Sequence, residues 1–197
     1  MPRDSLGVAI SQDVSWVIAL RGQIYAASDA DQNDRVTGQT SFANTTPTFI
    51  LHNPSNSAKL CFPFFFQIVQ TGSVAGGDIF VEVEARGTSA YSSGGTSEGV
   101  SNLFFGAPSA YSNPTNSCLL YSGATAGAGA GRKMGHFTLA PDVSPAEGVI
   151  NVPEWSAPTG LIIGPGASLG VYTYAASTGP TWDWHFVWAE IPVQAFS

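Results

Sequence analysis

Residues 181 to 191 read TWDWHFVWAEI, with an aromatic side chain at every second position from Trp182 to Trp188. That spacing suits a β-strand, in which alternate side chains point to opposite faces, and no helical period accounts for it. On such a strand Trp182, Trp184, Phe186 and Trp188 share one face, while Asp183, His185, Val187, Ala189 and Ile191 share the other. Left in water, four large aromatics would expose far more than the few hundred Å² of apolar patch that a soluble monomer tolerates. Burial inside a sandwich or at a subunit contact is therefore expected for all four, and covering them contributes on the order of 15–25 kcal/mol gross, before entropy. A sugar-binding platform needs fewer rings with polar groups beside them, and the acidic and imidazole side chains of this segment are read as facing away from the ladder.

The rest of the chain has the same grammar. No segment sustains an i, i+3, i+4, i+7 apolar pattern, and 22 Gly and 13 Pro interrupt the sequence throughout. Strands are expected at 15–20, 23–28, 47–53, 59–70, 78–86, 117–122, 133–140, 159–164, 168–174 and 181–191, so the chain reads as all-β. In DIFVEVEAR, Ile79, Val81, Val83 and Ala85 face one way and Glu82, Glu84 and Arg86 the other, which predicts one wet face. KLCFPFFFQIVQ (59–70) is apolar on both faces, so it is expected to be covered on both sides, one of them by another subunit; Pro63 is expected at an edge or a bulge. Long polar stretches at 28–45, 87–102 and 122–132 are candidates for functional or partner-ordered loops.

Composition excludes several function classes. Charged residues make up 11% of the chain, against about 25% in an ordinary soluble domain, and such a surface is often covered by a partner. The net charge of −7 and the scattered Lys and Arg lack the footprint of direct nucleic-acid binding. No apolar run reaches the roughly 18–20 residues of a membrane span, and MPRDSLGVAISQD lacks an apolar signal core, so synthesis in a cytoplasm is expected. Cys61 and Cys118 lie in apolar stretches and read as inert core thiols rather than a disulfide framework or zinc site.

Motifs that invite chemistry fail on spacing. GATAGAGAGRK (123–133) lacks the Lys–Ser/Thr ending and the helix of a phosphate loop, so it reads as a flexible loop. DADQND (29–34) has Asp34 where a calcium loop needs Gly and Thr40 where it needs Glu. His52, His136 and His185 fall on three different strands without a metal-type pair, and neither a nucleophile elbow nor a general acid–base pair stands out. No catalytic residue, cofactor site or metal site is assigned, and the protein is expected not to be an enzyme.

Three short motifs carry a resemblance. They are L-x-N-P-x-x-S at Leu51, Asn53, Pro54 and Ser57, I-x-P-G-x-x-L at Ile163, Pro165, Gly166 and Leu169, and W-x-E-x-P at Trp188, Glu190 and Pro192. Over about 47–195 the chain resembles single jelly-roll virion proteins of tailed bacteriophages. The resemblance implies a jelly-roll domain at 47–197, an N-terminal arm at 1–46 with one or two short strands, and a homotrimer. It implies a structural role, most simply a capsid decoration or cement protein on the outer surface of the virion, with the major capsid protein as partner and the host cytoplasm as the place of synthesis. The alternative is a receptor- or carbohydrate-binding tip of a tail fibre or baseplate, using the loops at 87–102 and 122–132. A cellular trimeric ligand of the tumour-necrosis type is a weaker fit, because a secretory signal would accompany it. The motifs themselves read as turn chemistry, Pro presetting φ and Gly accepting a positive one.

Overall fold

The computed structural model describes residues 21–29, 35–71, 77–87, 90–103, 116–129, 131–140, 151–158, 160–176 and 179–196. Within them the chain forms β1 (Ile24–Ser28), β2 (Val36–Thr37), β3 (Phe49–His52), β4 (Lys59–Gln70), β5 (Ile79–Arg86), β6 (Tyr91–Ser93) and β7 (Thr96–Ser97). The second half adds β8 (Ser101–Asn102), β9 (Leu119–Ser122), β10 (Thr125–Ala126), β11 (Arg132–Leu139), β12 (Glu154–Ser156), β13 (Ser168–Ala175) and β14 (Thr181–Pro192), then a 3-10 turn at Val193–Phe196. The described chain is all-β and every strand ladder is antiparallel.

The strands make two large sheets. The first runs β12-β4-β14-β1-β8, with β2 against the start of β14, and the second runs β11-β5-β13-β3-β9-β7; β10 and β6 form a separate small pair. Strands β4 and β14, each 12 residues long, pair from Trp182 opposite Gln70 to Pro192 opposite Lys59 and form the spine of the first sheet. Residues 24–28 belong to this sheet as β1, between β14 and β8. The core lies between the sheets: Phe66, Ile68, Tyr25 and the four aromatics of β14 meet Phe49, Leu51, Val81, Val83, Leu120, Leu169 and Val171. At one open edge Trp155 of β12 crosses to β11, where a side chain on Gly135 would sit 2.9 Å from the Trp155 ring.

Pro63 lies at a bulge. Val187 pairs with Phe65 but Trp188 pairs with Pro63, so Phe64 is the extra residue, and the ladder skips where the proline has no N–H to give. The run 159–164 is a correction: it is not a strand, and only Ile163 bridges to Cys61. Pro158, Pro165 and Gly160, whose φ is 88°, break it at both ends. The polar stretches supply short ladders that alternation does not reveal, β2, β6, β7, β8 and β10. The expected strand at 15–20 lies outside the described residues, as do residues 30–34 of the calcium-like stretch.

The motifs read as turns prove to be one knot. Asn53 is fully buried, and its side-chain amide donates to the carbonyls of Lys59 at 2.9 Å and Ile163 at 2.8 Å. Its backbone accepts from Gly166 at 2.7 Å and donates to Ala167 at 3.0 Å, so the first motif holds the second by three hydrogen bonds, and a fourth ties it to Lys59. Asn53→Asp replaces a two-proton donor with a carboxylate facing two carbonyls. Urea denaturation is expected to show a loss of about 2–4 kcal/mol; a change within about 0.5 kcal/mol, the range of ordinary surface substitutions, would contradict this role.

Candidate functional site

The aromatic face of β14 is interior. Trp182, Trp184, Phe186 and Trp188 are at most 4% exposed and all belong to the core between the sheets. Phe49 from the second sheet packs its ring 5.6 Å from Trp184 and 5.4 Å from Phe186, while Phe66 stacks on Phe186 at 5.3 Å and Tyr25 on Trp188 at 6.3 Å. The opposite sheet is what covers them, so this ladder offers no surface to a sugar. The indole N–H groups of Trp182 and Trp184 find no acceptor among the described residues, a cost that the packing outweighs.

The reading that the acidic side chains of this strand face away needs one correction. Glu190 shares the parity of Trp188 and points inward, 1% exposed. Its carboxylate accepts from the backbone N–H groups of Ser117 at 2.7 Å and Cys118 at 2.9 Å, and from Trp188 Nε1 at 3.1 Å. Lys59 Nζ lies 3.0 Å away and supplies the compensating charge. A buried carboxylate is tolerable only when paired and hydrogen-bonded in this way. The i, i+2 spacing from Trp188 carried the signal. What the sequence does not show is that the donors come from residues 117 and 118.

A second correction concerns β5. Glu82, Glu84 and Arg86 leave the core side as expected, but their face is not wet: all three are less than 9% exposed. Arg86 Nη1 donates to Tyr172 Oη at 2.6 Å, to Asn44 O at 3.0 Å and to Glu84 at 3.1 Å, while Nη2 donates to the carbonyls of Gly127 at 2.8 Å and of Gly129. Glu84 in turn accepts from Gly131 N at 3.2 Å. The glycine run expected as a flexible loop is thus folded onto the second sheet. Its bare carbonyls suit a guanidinium, and a side chain at Gly131 would come within 2.9 Å of both Glu84 and Arg86. Nearby, Ile50 packs under Ala124 and Ala126, with Tyr91 stacked on Tyr121 at 4.4 Å. The outer face of the second sheet is therefore roofed by this chain's own loops.

The outer face of the first sheet has a different character. Register places Leu60, Phe62, Phe65 and Val69 of β4 beside Ile191, Ala189, Val187 and Asp183 of β14, with Ile24 and Ala26 of β1 next in line. Leu60, Phe62, Phe65, Val69, Val187 and Ile191 are only half-buried. Beside them lies a cleft of about 270 Å³ formed by Phe62, Pro63, Phe64, Ala157, Pro158, Gly160 and Leu161. Toward Trp184 the face turns polar, with Gln67, Asp183 and His185 around a smaller hollow of about 230 Å³. Arg35 Nε lies 3.4 Å from Asp183 there.

A polar groove of about 630 Å³ runs along Arg35, Val36 and Thr37, the segment Gly95–Gly99, Ser122 and Gly123. The histidines stay apart: His52 is on β3, His136 on β11 and His185 on β14. Among the described residues no three His, Cys, Asp or Glu side chains converge as metal ligands, and no helix is long and apolar enough to cross a membrane. Both cysteines are buried and free.

Three groups shift in ways that bear on acid stability. Burial raises the Glu82 carboxyl, but its bonds to Lys133 and Tyr174 and the charges of Lys133 and His136 outweigh burial, leaving it below its ordinary value. Lys133 Nζ is 2.6 Å from Glu82 and Tyr174 Oη donates to it at 2.8 Å. Burial also lowers His52. Asp183 is raised, by burial first and by Asp29, so it opposes the other two. In each of the first two the unfolded chain takes up protons before the folded one. Stability is therefore expected to fall as pH drops below the ordinary His value of 6.5, and again below the ordinary carboxylate value of 4.5 as Glu82 protonates. Glu82→Gln should flatten the second limb in urea midpoints measured against pH, and an unchanged limb would contradict this.

Comparison with protein-family models gave no match, and neither curated proteins nor solved structures showed a significant similarity.

Proposed function

We propose that this chain is a non-enzymatic bacteriophage virion protein: a homotrimer of jelly rolls that decorates and cements the head from its outer surface, with the major capsid protein as partner. The observation that carries this reading is the half-buried apolar face formed by Leu60, Phe62, Phe65, Val69, Val187 and Ile191. A stable interface needs about 800 Å² per partner with an apolar centre, and soluble monomers seldom leave a broad apolar face open. A second copy of the chain is the simplest cover, and a charge content of 11% fits a surface largely spoken for.

Strand order supports the jelly-roll part. Setting aside β2 and the strands between β5 and β11, the strands in chain order are β1, β3, β4, β5, β11, β12, β13 and β14. One sheet holds the sixth, third, eighth and first of these, and the other the fifth, fourth, seventh and second. That interleaving is what two nested Greek keys produce. The stretch between β5 and β11 is an insertion, and it supplies the roof over the second sheet together with β9 and the edge strands β7 and β8. Fold does not select a role. The motifs at Leu51–Ser57, Ile163–Leu169 and Trp188–Pro192 bring in the phage resemblance, which favours an assembly role.

The groove along Arg35, Gly95–Gly99 and Ser122 favours a second reading, a receptor- or carbohydrate-binding tail tip, because it is polar and built from the 87–102 and 122–132 loops. Antibody labelling of intact particles separates the two: label over the whole head supports decoration, and label confined to the tail refutes it. For the assembly itself, light scattering is expected to give about three times the monomer mass of 20.5 kDa. Phe65→Glu, which puts a charge on the proposed contact, should return a folded monomer with an unchanged β-type circular dichroism spectrum. A wild-type mass of 20.5 kDa would refute the trimer.

A further inference from the structure

Cys61 and Cys118 are far apart in sequence and adjacent in the fold. Cys61 lies on β4 in the first sheet, and Cys118 leads directly into β9 in the second, so the pair spans the sandwich. Both are fully buried and carry free thiols. Both side chains belong to the same buried cluster between the sheets. Both flank Glu190: Cys61 is its register partner in the β4–β14 ladder, and Cys118 N donates to its Oε1 at 2.9 Å. Cys61 is further fixed by reciprocal backbone bonds with Ile163 at 3.0 and 2.8 Å. Two cysteines that meet at one buried side chain from facing sheets are placed for a bond that needs Cα atoms about 4.4–6.8 Å apart.

We propose that Cys61 and Cys118 are a disulfide-forming pair that locks the two sheets together under oxidising conditions. The chain has 2 Cys, so within one molecule this is the single available pairing. The bond would close a loop running from residue 61 to residue 118, and long loops crossing between sheets gain most from such a link in the chain-entropy picture. With a disulfide such as oxidised glutathione as the oxidant, one thiolate attacks a glutathione sulfur and releases the first glutathione thiol. The second cysteine then displaces the other glutathione from the mixed disulfide. The two cysteine sulfurs are each oxidised by one electron, and their two protons end on the two glutathione thiols. Reaction in the folded state is slow, since burial pushes the Cys61 thiol up and leaves little thiolate. The protein therefore stays reduced in a cytoplasm and becomes locked during folding or slow opening in an oxidising medium.

The test uses the full-length protein, unfolded under reducing conditions and refolded in a glutathione redox buffer, so that burial does not limit access. Expected are a monomer lighter by two hydrogens, no thiol titratable after denaturation, and a peptide joining Cys61 to Cys118. The thermal midpoint should rise by on the order of 10 °C and return on reduction. Cys61→Ser and Cys118→Ser should each abolish the oxidation-dependent rise; if either fails to fold, the oxidised and reduced wild type decide alone. Two thiols still titratable in refolded protein, a disulfide found only between molecules, or an oxidised midpoint at or below the reduced one would overturn the proposal.

Discussion

Everything in this sandwich is referred to a buried carboxylate at the end of an aromatic strand. Glu190 closes the face begun by Trp182, and with Lys59 Nζ at 3.0 Å and two backbone amides on its oxygens it has one register in which it is satisfied. Slipping β14 by one residue would carry Glu190 to the outside and turn the four aromatics into water. The aromatics supply the larger part of the free energy, being non-directional. The carboxylate supplies the position, because a buried charge that loses its partners is costly. Asn53 does the same for the turns a few residues away, and its bond to Lys59 O joins the two polar centres through one residue. Both sheets are thereby tied at one corner, with Cys61 and Cys118 inside it.

From that corner outward the two sheets are finished differently. The second is roofed by its own insertion and by the segment before β3, nailed down by Arg86 through the carbonyls of Gly127, Gly129 and Asn44. On the outer face of the first, Leu60, Phe62, Phe65 and Val69 are left only half-buried. The proposed homotrimer rests on that asymmetry. The insertion that roofs one sheet also builds the polar groove, so any binding role and the assembly role would occupy separate surfaces.

Much of this was legible before any coordinates. Parity alone separates the inner from the outer face of β14, and the apolar character of 59–70 marks a core strand. Pro63 announced its bulge because it cannot donate. The misreadings share one cause: the partners were distant in sequence. Glu82, Glu84 and Arg86 look solvated until the glycine loop folds over them, and nothing local says that a run of small residues will become an arginine's acceptors. Asn53-Pro54 and Pro165-Gly166 read as separate turns because spacing cannot show that one holds the other. TGLIIG looks like a strand by composition, and its flanking Pro and Gly residues prevail.

Side-chain footprinting by hydroxyl radicals, on the assembled protein and on a dissociated variant, addresses the asymmetry of the two faces most directly. Phe62 and Phe65 should be protected in the assembly and become reactive in the monomer, while Tyr174 on the second sheet and Phe42, which packs against it, react equally in both. Protection that appears at Phe42 and Tyr174 instead, with Phe62 and Phe65 reactive throughout, would contradict an interface on the first sheet.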